Sequence, residues 1–264
     1  MKSLRESLLD NDLVDKTDEI IIKNEIEEFL KANYNCRGSI KISEKPNKDD
    51  LYEVSSNSVV EVANKNIISL TNGMFIWTIV DGSFFCNNCK FLKSLEGAPE
   101  KVELSFSCND CYSLTSLKGS PKEVGEGFYC YGCMSLNSLE SAPKEIGRDF
   151  YCYSCKSLKS LDSAPKKVGR NFDCSNCTSL KSLKSSPKEV GGNFDCSGCK
   201  YLESLEGAPK EVGGDFNCSY CDSLKSLDGA PKEVGGWFYC YGCASKFTED
   251  DVKKISNVKG KIIC

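Results

Sequence analysis

PKEVGGNFDCSGCKYLESLEGA, residues 187–208, decides the fold of this chain, because its frame F-x-C-x-x-C returns eight times at an interval of 22 residues, followed by x-x-L-x-x-L in all but the last. The phenylalanines fall at Phe84, Phe106, Phe128, Phe150, Phe172, Phe194, Phe216 and Phe238, and a cysteine pair follows each at the same offset, from Cys86/Cys89 to Cys240/Cys243. Self-similarity at such a period marks a solenoid, in which a coil buries its apolar residues only by stacking on its neighbours. Within the frame, alternation over F-x-C predicts a short strand with Phe and the first Cys inside and the residues directly before and after that Cys outside. Gly before the strand and Pro after the second Leu mark turns, which leaves no room for a regular helix. The convex side is therefore expected to be turns and extended backbone. Eight parallel strands spaced ~4.8 Å apart make an array roughly 40 Å long.

Working outward, the chain divides into an N-terminal helical region (1–50), a degenerate capping repeat (51–80), eight repeats (81–243) and a C-terminal cap (244–264). Thr17, followed by Asp18 and Glu19, is the expected N-cap of a helix. Ile22, Ile26, Phe29 and Leu30 fall on one face of that helix, expected to pack on the first coil. A second helix is expected around Leu4, Leu8 and Leu9. SIKIS at 39–43 reads as a strand and SEKPNKDD at 43–50 as a loop. In VVEVANKNIISL, Val60 and Val62 face inward and the cysteines are missing, as befits a terminal repeat with a neighbour on one side only. Beyond Ser245, Thr248 and Asp251 approximate a capping box, predicting a short helix to about Ile255 and a closing strand over Lys261–Cys264.

The F-x-C-x-x-C-x-x-L spacing resembles a leucine-rich repeat in the variants that place Cys where Asn usually follows the strand. SLxSLxGAPKEVGGxFxC also resembles the repeats of phage and prophage leucine-rich-repeat proteins, and its P-x-x-V, F, C and S-L elements are shared with bacterial surface proteins of the BspA-like class. The resemblance implies a leucine-rich-repeat solenoid with a curved parallel sheet. It implies a partner-binding role without choosing the partner. A phage or prophage origin would further imply a small binder that blocks a bacterial defence complex, as an anti-CRISPR protein does.

Eighteen cysteines and no histidine set the chemistry. The beginning of the sequence, MKSLRESLLDNDLVDK, is charged rather than signal-like. The expected address is the cytoplasm, that of the host cell if the chain is phage-encoded, where thiols stay free. Eight C-x-x-C pairs invite zinc or an iron–sulfur cluster, but equivalent cysteines in rows ~4.8 Å apart do not converge on one ion. The expected role is structural: the first Cys an apolar filler, the second a donor to backbone at the turn. No cofactor is expected. Without a nucleophile–base pair, a phosphate loop or paired acids in a recognisable setting, neither is an enzyme.

The net charge of −4 resides in residues 1–80, with 10 Lys/Arg against 14 Asp/Glu; the remainder balances at 24 against 24. A neutral solenoid argues against direct nucleic-acid binding, and no apolar run is long enough for a membrane. One Lys per coil follows the Pro, from Lys122 to Lys232, usually with Glu next, and reads as a solvated, self-neutralising surface.

The coils differ at their outward positions, and those differences carry the functional expectation. Coils five to seven have Asp173/Ser175, Asp195/Ser197 and Asn217/Ser219 around the first Cys. Coils three and four have Tyr129/Tyr131 and Tyr151/Tyr153, and coil eight has Tyr239/Tyr241 beside Trp237. Arg148 and Arg170 stand on neighbouring turns. Tyr, Trp and Arg are the residues of binding hot spots, although outward Tyr also simply favours strands. The expected partner is another protein. Asp173, Asp195 and Asp215 as an acidic strip suggest a basic, nucleic-acid-handling host complex. A secreted or surface adhesin and a metal-binding or redox protein are the alternatives.

Overall fold

A computed structural model describes residues 16–264. The helix expected around Leu4, Leu8 and Leu9 lies outside the described residues. The chain winds into a stack of short strands dominated by one 11-stranded sheet, in which ten strands are parallel. Each F-x strand pairs in register with the next, Phe on Phe, from Phe84 to Phe238. The fold is a parallel β-solenoid with leucine-rich-repeat-like coils. The coils are numbered here from one, starting at Phe84, to eight, starting at Phe238.

The register follows from what must be buried. All eight repeat phenylalanines are completely buried, and so are the Leu pairs such as Leu180/Leu183 and Leu202/Leu205. The rings form a continuous column. Phe172 stacks on Phe150 at 5.6 Å and on Phe194 at 5.3 Å between ring centroids. Offset stacking adds to the area term for each pair.

The turn inside C-x-x-C has its own rule. The residue directly before the second Cys is left-handed in every coil: Asn88, Asp110, Gly132, Ser154, Asn176, Gly198, Tyr220 and Gly242 all have φ between 56° and 70°. Gly, Asn and Asp tolerate this region best, which accounts for seven of the eight choices together with the short side chain of Ser154. Tyr220 is the exception.

The side opposite the Phe strands is more regular than turns alone. Two-residue strands at the P-x-x-V motif, such as Glu189–Val190 and Glu211–Val212, pair in parallel with Val inside. The extended backbone expected there thus closes into a second ladder, in two sections of five and six strands. Two consecutive extended residues per coil suffice, because a one-coil translation presents each N–H to the neighbour's carbonyl.

Both ends are capped by altered coils. Helix α1 (Lys16–Asn33) buries Ile26 and Leu30 and packs Ile22 and Phe29 against the core, as the helical spacing implies. Thr17 lies inside α1 and not at its cap, since the helix is already under way at Lys16. Strand β1 (Tyr34–Cys36) then pairs antiparallel with Val60–Val62, covering the edge that the parallel array leaves open. Strands at Ile40–Ile42 and Tyr52–Ser56 begin the second ladder, joined by Phe75–Val80. Trp77 is fully buried 6.0 Å from Phe84 and closes the ring column.

At the other end the capping box of Thr248 and Asp251 starts a helix over Glu249–Lys253, ending two residues before the expected Ile255. The terminal strand Ile262–Ile263 pairs with Phe238–Tyr239. Asn257–Val258 continues the second ladder, so the tail is a ninth repeat with a helix inserted.

Removing one ring from the middle of the column tests this packing. Phe172→Ala is expected to lower unfolding stability by ~3 to 5 kcal/mol in urea denaturation, because neighbours pinned on both sides cannot collapse into the cavity. An unchanged midpoint would place Phe172 outside the core.

Candidate binding face

The interior is committed to structure before any site is considered. From coil two onward, each second Cys donates its thiol to the carbonyl of the preceding coil's first Cys: Cys111 to Cys86 at 3.1 Å, Cys155 to Cys130 at 3.2 Å, and so on to Cys243 and Cys218 at 3.2 Å. These bonds satisfy carbonyls at the turn that the strand ladder does not reach. Burial pushes the thiols of Cys86, Cys108, Cys130 and Cys218 well up. For Cys152, Cys174 and Cys196 the thiol of the next coil's second Cys acts first, and burial adds to it.

No group of three or more His, Cys, Asp and Glu side chains among the described residues is placed to hold a metal ion. The expectation that all thiols are free is corrected at one place. Cys240 and Cys264 are joined as a disulfide, with Cα atoms 4.6 Å apart. The helical insertion restores the register of the terminal strand, so Cys264 stacks directly on the first-cysteine row within bonding reach.

The residues flanking the first Cys lie on the outer side of the strands, though Ser107, Asn109, Ser175 and Ser219 are buried there, and hydrogen bonds tie them into sets. In coils five to seven the residue before the Cys caps its own turn. Asp173 and Asp195 accept from the amides of Ser175 and Ser197, each at 2.8 Å, and Asn217 accepts from Ser219 at 3.0 Å. The D/N-C-S unit is thus an Asx turn, and it is exchanged whole for Y-C-Y in coils three, four and eight.

A second ladder runs along the row before each Phe. Asp149 accepts from the amide of Asn171 at 3.2 Å, Asn171 from Asn193 and Asn193 from Asp215, both at 2.8 Å, and Asp215 from Trp237 at 2.7 Å. Asp215 therefore belongs to a structural ladder rather than to the strip formed by Asp173 and Asp195. The repeated Asp/Asn before Phe in four successive coils is the signal that points to it.

The tyrosines of coils three and four are brought together. Tyr131 and Tyr153 stack at 4.4 Å with an interplanar angle of 6°, and Tyr129 and Tyr151 lie 5.4 Å apart. All four are half-buried, because they cover one another and the polar rows beneath. Tyr129 lies over Gly127, where a Cβ would meet its hydroxyl and make the ring shift. Burial and the neighbouring Tyr131 push the Tyr153 phenol up to about 12.

Of the two arginines, Arg148 is paired with Glu126 at 3.3 Å on an exposed surface, while Arg170 is exposed on the next coil. Burial raises the Asp173 carboxyl, the Ser175 contacts lower it, and Asp195 directly opposite raises it further.

Coil eight carries the second aromatic group. Trp237 and Tyr239 are 5.9 Å apart, and Tyr239 meets Tyr241 edge-on at 6.4 Å. Tyr220, from coil seven, joins them at 5.1 Å from Tyr241. It was not singled out by the strand pattern, because it sits in the turn and not on the strand. Its departure from Gly/Asn/Asp/Ser at that turn position could have found it.

On the far side, the Lys and Glu rows are exposed and pair across coils, as in Lys122–Glu100 at 2.9 Å and Lys167–Glu189 at 3.2 Å. Such pairs contribute ~0 to 1 kcal/mol each. No helix among the described residues is long and apolar enough to cross a membrane.

No family model matches this chain, nor does any curated protein or any solved structure. Fold and face together define the class, a parallel β-solenoid of leucine-rich-repeat-like coils with one outward sheet dressed unevenly in aromatic and acidic residues.

The thiols offer a direct check. Of the 16 free cysteines only Cys36 and Cys243 are not fully buried, so a thiol reagent under native, non-reducing conditions should modify at most two and sixteen after denaturation. Burial holds the first-cysteine thiols of coils one to seven above the ordinary 9.0 when folded, joined in coils four to six by the next coil's second cysteine. Their stabilisation is complete below about pH 9 and is lost as the pH rises beyond it, when unfolded thiols ionise and folded ones do not. Urea midpoints should accordingly be level to about pH 8.5 and fall steeply above about pH 9.5; a level profile through pH 10 would contradict the burial.

Proposed function

We propose that this chain is a non-enzymatic protein that binds another protein on the outward face of its Phe-strand sheet. One observation carries the reading. Stacking asks the same of each coil, yet four tyrosines converge on coils three and four while coils five to seven do without them. Aromatic side chains already held against one another lose little conformational freedom on binding, which is why they serve as hot spots. The partner expected from Asp173 and Asp195 is a protein with a basic surface. A host complex that handles nucleic acid, the target of a phage-encoded inhibitor, is the sharpest version of this proposal.

Tyr131→Ser with Tyr153→Ser installs the residue that sibling coils use at that row, so the fold should survive. A partner captured by the parent chain and then purified should bind the double variant at least ~2 kcal/mol more weakly in calorimetry, about 30-fold in Kd. Equal affinity would move the site off this face.

A further inference from the structure

The outward face has relief as well as composition. Both outward rows change together: Tyr151 and Tyr153 end one aromatic block at coil four, and Tyr239 and Tyr241 begin another at coil eight. Between them three coils carry Asp173, Asp195 and Asn217 in one row and Ser175, Ser197 and Ser219 in the other. In-register strands ~4.8 Å apart put the two tyrosine walls ~19 Å apart across four steps. The result is a trough with aromatic walls and an acidic floor, beneath which Ser175 and Ser219 are buried.

Three features indicate what the trough is for. Asp173 and Asp195 stand directly opposite each other on adjacent strands, an arrangement that costs stability for like charges. No ion pair relieves either of them among the described residues. At the coil-eight wall a cation is held by an aromatic face: Lys261 places its Nζ 5.2 Å from the Trp237 ring. Finally, the wall at coil eight is extended at a conformational cost. Tyr220 adopts φ 56° where its siblings are Gly, Asn, Asp and Ser, is 56% exposed, and lies against Gly242, whose missing side chain makes room for its ring. A bulky residue kept in a left-handed turn without being buried is strain retained for something other than packing.

We infer that the trough between coils four and eight receives an extended basic segment of the protein partner, its Lys or Arg side chains paired with Asp173 and Asp195 and stacked on the tyrosine walls. The inference rests on the protein-binding reading above and deepens it. Carboxylates supply charge complementarity, and aromatic faces add cation–π attraction that favours Arg. An extended segment advances ~3.3 Å per residue, so about six residues span the floor.

Two substitutions separate binding from folding. Asp173→Asn with Asp195→Asn keeps the oxygen that caps each turn, as Asn217 already does, and removes both charges. Tyr220→Gly removes the strained aromatic and installs the residue found in three sibling turns. The probes are a labelled peptide of four Arg-Gly repeats, its Glu-Gly counterpart and free spermine, followed by fluorescence anisotropy with the full chain.

The Arg peptide should bind and the Glu peptide should not. Its affinity should fall at least about tenfold for the Asp double variant and also between about 50 and about 500 mM KCl. Tyr220→Gly should weaken the peptide several-fold while its thermal midpoint stays equal or rises, an outcome that a packing role for Tyr220 would reverse. The inference is overturned if the Arg peptide fails to bind, if it binds the Asp variant equally, or if spermine binds and the peptide does not. A protein partner that is lost with Tyr131→Ser/Tyr153→Ser but indifferent to the Asp variant overturns the trough and leaves the binding face standing; a partner indifferent to both overturns the two readings together.

Discussion

Every feature of this molecule depends on one constraint, the in-register parallel pairing of each coil with the next. A coil of 22 residues has two or so extended residues on each side and cannot bury its own Phe, Cys and Leu side chains. Translation by one strand spacing solves three problems at once. It pairs the backbone, stacks like on like in the interior, and gives each turn a fixed neighbour. The same identity of position explains the thiols, since a donor recurring at one place in each coil meets a carbonyl recurring at one place in the coil before.

Because the interior repeats, individuality is confined to the surface and the ends. At the ends it answers a structural need. A parallel array leaves an open edge and an uncovered ring column, which α1, β1 and Trp77 close on one side and the helix-bearing ninth repeat covers on the other. On the face it answers no such need, since D/N-C-S and Y-C-Y are alternative solutions to the same turn. The Phe column stacks through aromatic coils three and four and tilts at coil eight, where the amide ladder also ends at the Trp237 amide. That interchangeability is why the uneven dressing is not dictated by the turn itself.

Much of the architecture was legible in the linear sequence. The 22-residue period determined the solenoid, the alternation over F-x-C determined which residues turn inward, and helical spacing in Ile22, Ile26, Phe29 and Leu30 identified the N-terminal cap. Those patterns are local, or repeat at a constant interval, and so survive projection onto a string. Three-dimensional stacking alone decided the rest. It showed that Asp215 caps the amide of Trp237 rather than lining an acidic strip, and that Arg148 is already paired. It joined Cys240 to Cys264 across an insertion that hides their common register, and it brought Tyr220 from a turn into the aromatic wall of coil eight. Each of these joins residues of neighbouring coils through side-chain atoms. Sequence periodicity states that two positions are equivalent; only the folded stack states which atoms of one meet which atoms of the next.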